Sequence, residues 1–212
     1  MLGVLVTVEG VEGSGKSTQS RRLAERFRRR GRTVTLTSEP DGTPLGAAVR
    51  AAFESTGSQP SPLAQAFMFM AAREQHVSSV IRPALARGDL VISDRYTDAT
   101  LAYQGYGQGL DLQTIRELNL LATGGVMPDL TIVLDMDPSA GIARIRDRGL
   151  DAFERMDLAF HRRVREGYLQ IARAEKGRVV VLDGGLSPDA LEREVARMVD
   201  VVLERREAER VC

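Results

Sequence analysis

The sequence predicts an α/β fold: a five-stranded parallel sheet covered by helices on both faces. Two observations carry that expectation. Apolar runs at Val4 to Glu9, Thr33 to Ser38, Leu90 to Ser93, Leu130 to Asp135 and Arg178 to Asp183 alternate with segments of helical spacing. Such alternation is the mark of parallel strands joined by crossover helices. The first run also feeds straight into Gly10-Val11-Glu12-Gly13-Ser14-Gly15-Lys16-Ser17. This G-x-x-x-x-G-K-S pattern leaves a strand, turns on its glycines and opens a helix.

Taken in order, the first strand delivers a phosphate-cradling loop. Its backbone N–H groups face phosphate oxygens, Lys16 reaches the outer phosphates, and the Ser17 hydroxyl holds Mg²⁺. Lysine is rare here: Lys16 and Lys176 are the only two among 29 basic residues, and a compact ammonium is physically unlike a planar guanidinium. The next helix is predicted from about Lys16 to Arg30, with Leu23, Ala24 and Phe27 inward and Gly31 ending it. The second strand closes on Glu39-Pro40-Asp41-Gly42-Thr43, and Arg50 on the following helix faces the same crevice, which offers a second anion site; read alone, the segment is equally a plain turn with a solvated arginine.

A long helix is predicted from Ser61-Pro62 to Arg87, ahead of Gly88, with a kink at Pro83. On it Phe69 and Arg73 are four apart and share a face, so a ring can stack on a base while a guanidinium donates to its carbonyl; ordinary core packing fits the same cluster. Ser93-Asp94-Arg95-Tyr96 falls at the carboxyl end of the third strand, where open α/β sheets hold ligands. Asp94 there anchors Mg²⁺ through water and Arg95 clamps a phosphate, against the alternative of a surface ion pair. Thr100, Tyr103 and Gln104 share one side of a short helix and can read a nucleobase or sugar edge. Asp135 and Asp137 end the fourth strand, with helix capping ahead of Pro138 the favoured role. The charged segment Asp147 to Asp157 reads as a mobile flap, bracketed by Arg144, Arg146, Arg148 and Arg155, whose guanidinium groups can meet transferring phosphoryl oxygens. His76 and His161 lack metal-ligand spacing and are assigned surface or packing roles.

Bulk properties narrow the function. A chain of 212 residues with 43% apolar residues fits one domain, 1–212. Lys plus Arg and Asp plus Glu are both 29, so no global field draws the chain to nucleic acid or an anionic membrane. The sole cysteine, Cys212, excludes an intrachain disulfide and a cysteine metal cluster and fits a reducing compartment. With neither a charged signal region nor an apolar stretch of spanning length, the expectation is a cytoplasmic protein.

Together these residues resemble the thymidylate kinase family, over essentially the whole chain. The resemblance is carried by the phosphate loop with Glu12, Glu39-Pro40-x-Gly42-Thr43, Phe69-x-x-x-Arg73, Asp94-Arg95-Tyr96, Ala102-Tyr103-Gln104-Gly105, and Phe160-His161 leading to Val164-Arg165-Glu166-Gly167-Tyr168. It implies a P-loop nucleoside monophosphate kinase-like fold with a lid at approximately 144–157, and ATP-dependent phosphorylation of dTMP to dTDP with Mg²⁺ on Ser17 and Asp94. ATP is then expected on Gly10, Val11, Glu12, Gly13, Ser14, Gly15, Lys16, Ser17 and Thr18, with Arg144 by its adenine. For dTMP, Phe69 stacks on thymine, Arg73 and Gln104 or Thr100 read its edge, Tyr103 lies beside the deoxyribose and Glu12 nears the sugar hydroxyl. Arg50 and Arg95 hold the acceptor phosphate, and Glu39 adjoins the substrate. Lys16, Arg95 and a lid arginine, with Arg148 the first choice, form the expected catalytic set. The family also implies a homodimer paired through helices. Two departures stand out: Asp41 occupies a position where the family usually has glycine, and the lid reads Asp151-Ala152-Phe153-Glu154 without the usual arginine. The rival readings are a deoxynucleoside kinase with Glu39 as base, and a P-loop ATPase or regulatory switch. Arg50, Arg95 and the arginine lid favour a phosphate acceptor, and the chain has no Asn-Lys-x-Asp guanine signature.

Overall fold

The structure, a computed structural model, describes residues 3–55 and 60–211, without the side chains at 55, 148, 210 and 211. Each of the five apolar runs is a strand: β1 (Val4–Gly10), β2 (Val34–Ser38), β3 (Leu90–Asp94), β4 (Leu130–Asp135) and β5 (Val179–Asp183). They form one sheet in the order β2-β3-β1-β4-β5, every pairing parallel. The helices between them are α1 (Lys16–Arg29), α2 (Pro44–Ser55), α3 (Pro62–His76), α4 (Arg82–Arg87), α5 (Thr97–Thr100), α6 (Leu112–Thr123), α7 (Pro138–Ile145), α8 (Leu158–Ala174) and α9 (Pro188–Val211).

The central strand explains the layering. All seven residues of β1 are buried, as expected for a parallel strand covered on both faces. Val4, Val6 and Val8 point to one face, where Leu23 and Phe27 of α1 and Leu191, Val195 and Val199 of α9 complete the core. Leu5 points to the other, against Val77, Ile81 and Leu85. On that second face the alternation continues with two polar residues, Thr7 and Glu9, both fully buried. Buried polar groups need partners. Thr7 exchanges a hydrogen bond with Thr131 of β4 at 2.8 Å, and Glu9 meets Tyr96 and Tyr168.

Register brings the carboxyl ends of the inner strands together: Val8 aligns with Asp94, Asp94 with Ser38, and Gly10 with Leu134. The phosphate loop and the Asp94-Arg95-Tyr96 turn therefore leave the sheet side by side. The break in the long helix starts earlier than the sequence predicts. Residues Val77–Ile81 form a π-helical turn, with the Arg82 N–H bonded to the Val77 carbonyl, and Pro83 sits in the first turn of α4. A proline displaces the carbonyl four residues back and supplies no N–H; one extra residue per turn absorbs both effects upstream. Within the segment at 147–157, read from sequence as a flap, residues 151–154 form a turn closed by its own hydrogen bonds. Asp151 Oδ1 accepts the N–H groups of Phe153 and Glu154 at 2.8 Å each, and Glu154 returns a bond to the Asp151 N–H at 2.9 Å, the reciprocal logic of a capping box.

Candidate active site

The phosphate loop is shaped by close backbone approach. A Cβ at Gly13 would lie 1.9 Å from the Gly141 carbonyl oxygen, so only glycine lets the loop seat against α7. Gly15 then takes φ 96° and no side chain caps α1. The helix thus presents its first N–H groups, and the positive end of its dipole, to an anion. Lys16 is 5% exposed, and its Nζ donates to the carbonyls of Gly10 at 2.9 Å and Val11 at 2.8 Å. Burial, with Arg95 nearby, draws its pKa below the ordinary lysine value, against the opposing pull of Glu12, Asp94 and Glu9.

Beside it the Ser17 hydroxyl donates to Asp94 Oδ2 at 2.5 Å. Among the described residues, Asp94 Oδ1 and Ser14 Oγ are buried without a hydrogen-bond partner. A hydroxyl and a carboxylate with spare oxygens at the mouth of a phosphate loop are the hard donors that suit Mg²⁺.

Arg95 stands across from Lys16. Its guanidinium donates to Glu12 Oε1 at 2.5 Å, and the Tyr103 hydroxyl donates to the same oxygen at 2.5 Å. Burial alone would raise the Glu12 pKa, but the charges of Arg95 and Lys16 and the Tyr103 and Arg95 hydrogen bonds prevail and hold it well below the carboxylate range. Burial, then the Glu12 charge, pushes the Tyr103 phenol up. Arg50 is committed differently: its Nε lies 2.7 Å from both oxygens of Asp41, and its Nη1 3.9 Å from Asp151 of the lid.

Farther in, aromatic rings line the cleft. Phe69 stacks on Phe53 with centroids 5.1 Å apart and planes at 14°. Phe153, carried by the lid, lies 5.6 Å from Phe53, 6.0 Å from Phe69 and 5.9 Å from Tyr103. Behind them Arg73 is 2% exposed and uses every N–H direction within the chain: Nε and Nη2 on Glu39, Nη2 also on the Tyr96 carbonyl, and Nη1 on Thr100 and Asn119. It can read a base carbonyl only by sharing a donor. Glu39, whose burial would raise its pKa, is instead held down by Arg73 and by His76, which in turn bonds Thr37. His76 is therefore part of the cleft's support, and His161 is buried with Nε2 unpartnered among the described residues.

The cleft measures about 790 Å³, within the ordinary range for small-molecule sites. Glu12, Lys16, Ser17, Thr18, Asp94 and Arg95 line its phosphate end; Glu39, Arg50, Phe69, Arg73, Thr100, Tyr103 and Gln104 line the rest. Gly10, Val11 and Ser14 are buried and do not line it. Arg144 lies outside that lining, donating to the Gly184 carbonyl at 3.2 Å after β5, while the Arg148 side chain lies outside the described residues. Asp137 caps α7 as expected, and Asp135 pairs with Arg165. Sequence reasoning missed Phe53, Phe153 and Asn119. Phe53 had a signal, standing three residues after Arg50 on the same helix face; Asn119 had none.

A five-stranded all-parallel sheet whose central strand runs into a glycine loop, with Lys16 and Ser17 at the mouth of one cleft, is the fold of the P-loop nucleoside monophosphate kinases. Comparison with known proteins narrows this. The thymidylate kinase family profile matches residues 8–195. The chain is 47% identical to a thymidylate kinase of Deinococcus radiodurans over 194 residues, covering 91% of this chain and 94% of the relative. It is also 47% identical to one of Solidesulfovibrio magneticus over 209 residues, 94% and 100% of the two chains. A solved thymidylate kinase from Ehrlichia chaffeensis superposes with a TM-score of 0.77 at 34% identity, covering 93% of this chain and 98% of that one. The chain belongs to the thymidylate kinase family and is a phosphotransferase.

Proposed function

We propose that the chain moves the γ-phosphoryl group of ATP to the 5′-phosphate of dTMP, giving dTDP and ADP. The observation that carries this reading is Arg95, a guanidinium held across the cleft from Lys16 with Glu12 between them. Two anion sites this close let the bond from the γ-phosphorus to the β-bridging oxygen break as one to an acceptor phosphate oxygen forms. That acceptor is already largely ionised at neutral pH, its second pKa being about 6, so no general base is required. Glu39, the base a hydroxyl acceptor would need, is pinned by Arg73 and His76, which argues against a deoxynucleoside kinase.

Catalysis on this reading is positioning and charge neutralisation. Lys16 and the loop N–H groups hold the donor phosphates; Arg95 and Arg50 hold the acceptor. Ser17 and Asp94 would hold Mg²⁺, which when bound screens the donor phosphate charge. Phe69 offers a stacking face for thymine, Thr100 and Gln104 its polar edge, and Tyr103 and Glu12 the sugar. Arg144 is assigned to adenine and Arg148 to the transferring group. The lid excludes water that would otherwise hydrolyse ATP. A homodimer would use the mutually packed α3 and α6, where Phe67 is 53%, Leu120 60% and Leu121 80% exposed. No described helix is long and apolar enough to cross a membrane. The test is ADP release with dTMP against thymidine: strong preference for dTMP is expected, and preference for thymidine overturns the reading.

A further inference from the structure

We infer that Glu9 is a positioning residue for the acceptor-phosphate clamp, acting through the backbone of Arg95; the inference rests on the role given to Arg95 above. Among the described residues Arg95 is the one non-glycine residue with positive φ, at 71°. An L-residue is disfavoured there because its Cβ crowds the neighbouring carbonyl, so the surrounding structure must enforce the conformation. Three hydrogen bonds do so. The Arg95 N–H donates to the Val8 carbonyl at 3.1 Å, the Ser93 hydroxyl donates to the Arg95 carbonyl at 2.7 Å, and the Tyr96 N–H donates to Glu9 Oε1 at 2.7 Å. The second and third hold the two polar ends of the peptide following Arg95, and the third comes from a side chain of the neighbouring strand β1 that lies outside the cleft lining.

Glu9 is itself immobilised. It is fully buried on the second face of β1, and its Oε2 accepts the Tyr168 hydroxyl of α8 at 2.8 Å. The Tyr96 ring beyond it is anchored by its own hydroxyl on the Val126 carbonyl at 3.0 Å. Burial, helped by Asp98, pushes the Glu9 carboxyl up to about 8 against the opposing effects of Tyr168 and Arg95. A neutral acid still offers Oε1 as an acceptor, so what the site needs is an oxygen at that point. Without it the Tyr96 N–H is buried and unsatisfied, Arg95 relaxes toward ordinary φ, and its guanidinium leaves its place beside Glu12. The phosphate loop keeps its other anchors: Lys16 on the Gly10 and Val11 carbonyls, Gly13 seated against Gly141, and the Tyr103 hydroxyl on Glu12. Glu9 therefore acts on the affinity gained from the acceptor's phosphate and leaves recognition of the base and sugar unchanged.

The readout is the ratio of thymidine to dTMP dissociation constants, measured on the full chain. Wild type should favour dTMP strongly; absence of any preference there would sink the reading of Arg95 itself, whatever the variants do. Given that preference, Glu9→Gln should keep the ratio within about threefold, because its amide oxygen replaces Oε1, whereas Glu9→Val should lower it by about tenfold or more, the loss of a buried hydrogen bond being of that order. Thymidine and ATP affinities should stay constant. If valine prevents folding, Glu9→Asp, which withdraws the carboxyl by one methylene, should lower the ratio instead. An unchanged ratio in a folded Val or Asp variant, an equal loss of thymidine and dTMP affinity, or failure of both variants to fold would each overturn the positioning role.

Discussion

The two ends of the cleft are built by different means. The phosphate end is an extension of the sheet: β1 and β3 deliver the loop, Asp94 and Arg95 in fixed register, and buried groups such as Glu12 and Lys16 are locked by short hydrogen bonds. The other end, proposed above for the base, meets the sheet only at the edge strand β2, through Leu36, Thr37 and Ser38. Its other walls come from α2, α3, the segment after α5 and the lid, joined by ring contacts at 5.1 to 6.0 Å. Phase separation of duties follows from this construction. Charge stabilisation demands preorganised dipoles that do not move during reaction, whereas admission of a substrate demands walls that part.

The comparison breaks if altering the phosphate end leaves chemistry intact. Lys16→Ala should give the largest effect, lowering kcat by about 10³-fold, as for loss of one well-placed charge-stabilising donor, with the dTMP KM changed little; initial-rate measurements over both substrates decide it. Arg95→Ala should come next. It removes a charge-assisted contact and leaves Glu12 with less compensation, so kcat/KM for dTMP should fall by roughly 10- to 100-fold while ATP affinity, followed by direct titration, stays put. Equal losses for both nucleotides would show that Arg95 serves the whole cleft and that the two ends are not separate.

The same division decides what was legible in the sequence. Interior parallel strands are buried on both faces, so the mostly apolar runs of β1 and β4 mark them in spite of Thr7, Glu9 and Thr131, and the phosphate loop is a local pattern whose glycines are fixed by local geometry. Arg95 and Asp94 were readable because they sit at a strand end. The base end depends on contacts far apart in sequence: Glu39 and Arg73 meet across 34 residues and Arg73 and Asn119 across 46, and no periodicity encodes such meetings. The π-turn at 77–81 was invisible because proline marks a break without fixing the residue that absorbs it. Phe153 showed only as a lone ring among charges. Its place between Phe53, Phe69 and Tyr103 follows from where the lid lands.

Phe153 sharpens the comparison from the other side. It borders two apolar clusters, one with Phe53 and Phe69 and one with Tyr103 and Phe160, so it ties the lid to both walls of the base end. Phe153→Ala should raise the dTMP KM by roughly 2- to 10-fold, the range expected from the loss of one or two aromatic contacts, with a smaller change in the KM for ATP. A fall in kcat as large as that of Lys16→Ala would mean that the lid ring belongs to the chemical step.

The smallest effect expected comes from Asp41, and it carries a sign that separates two roles. Both oxygens of its carboxylate lie 2.7 Å from Arg50 Nε, so an acceptor phosphate held by Arg50 would compete with it. Both side chains are 39% exposed, and an exposed pair of this kind is weak, so the competition is modest. Asp41→Asn should lower the dTMP KM by about 2- to 5-fold, the range of a surface ion pair, and the gain should shrink as added salt screens the wild-type pair. A rise in KM would instead show that Asp41 holds Arg50 in its working orientation. Both arginines of the acceptor clamp would then be buttressed by a carboxylate, Arg50 by Asp41 as Arg95 is by Glu12, and preorganisation would extend from the phosphate loop to α2.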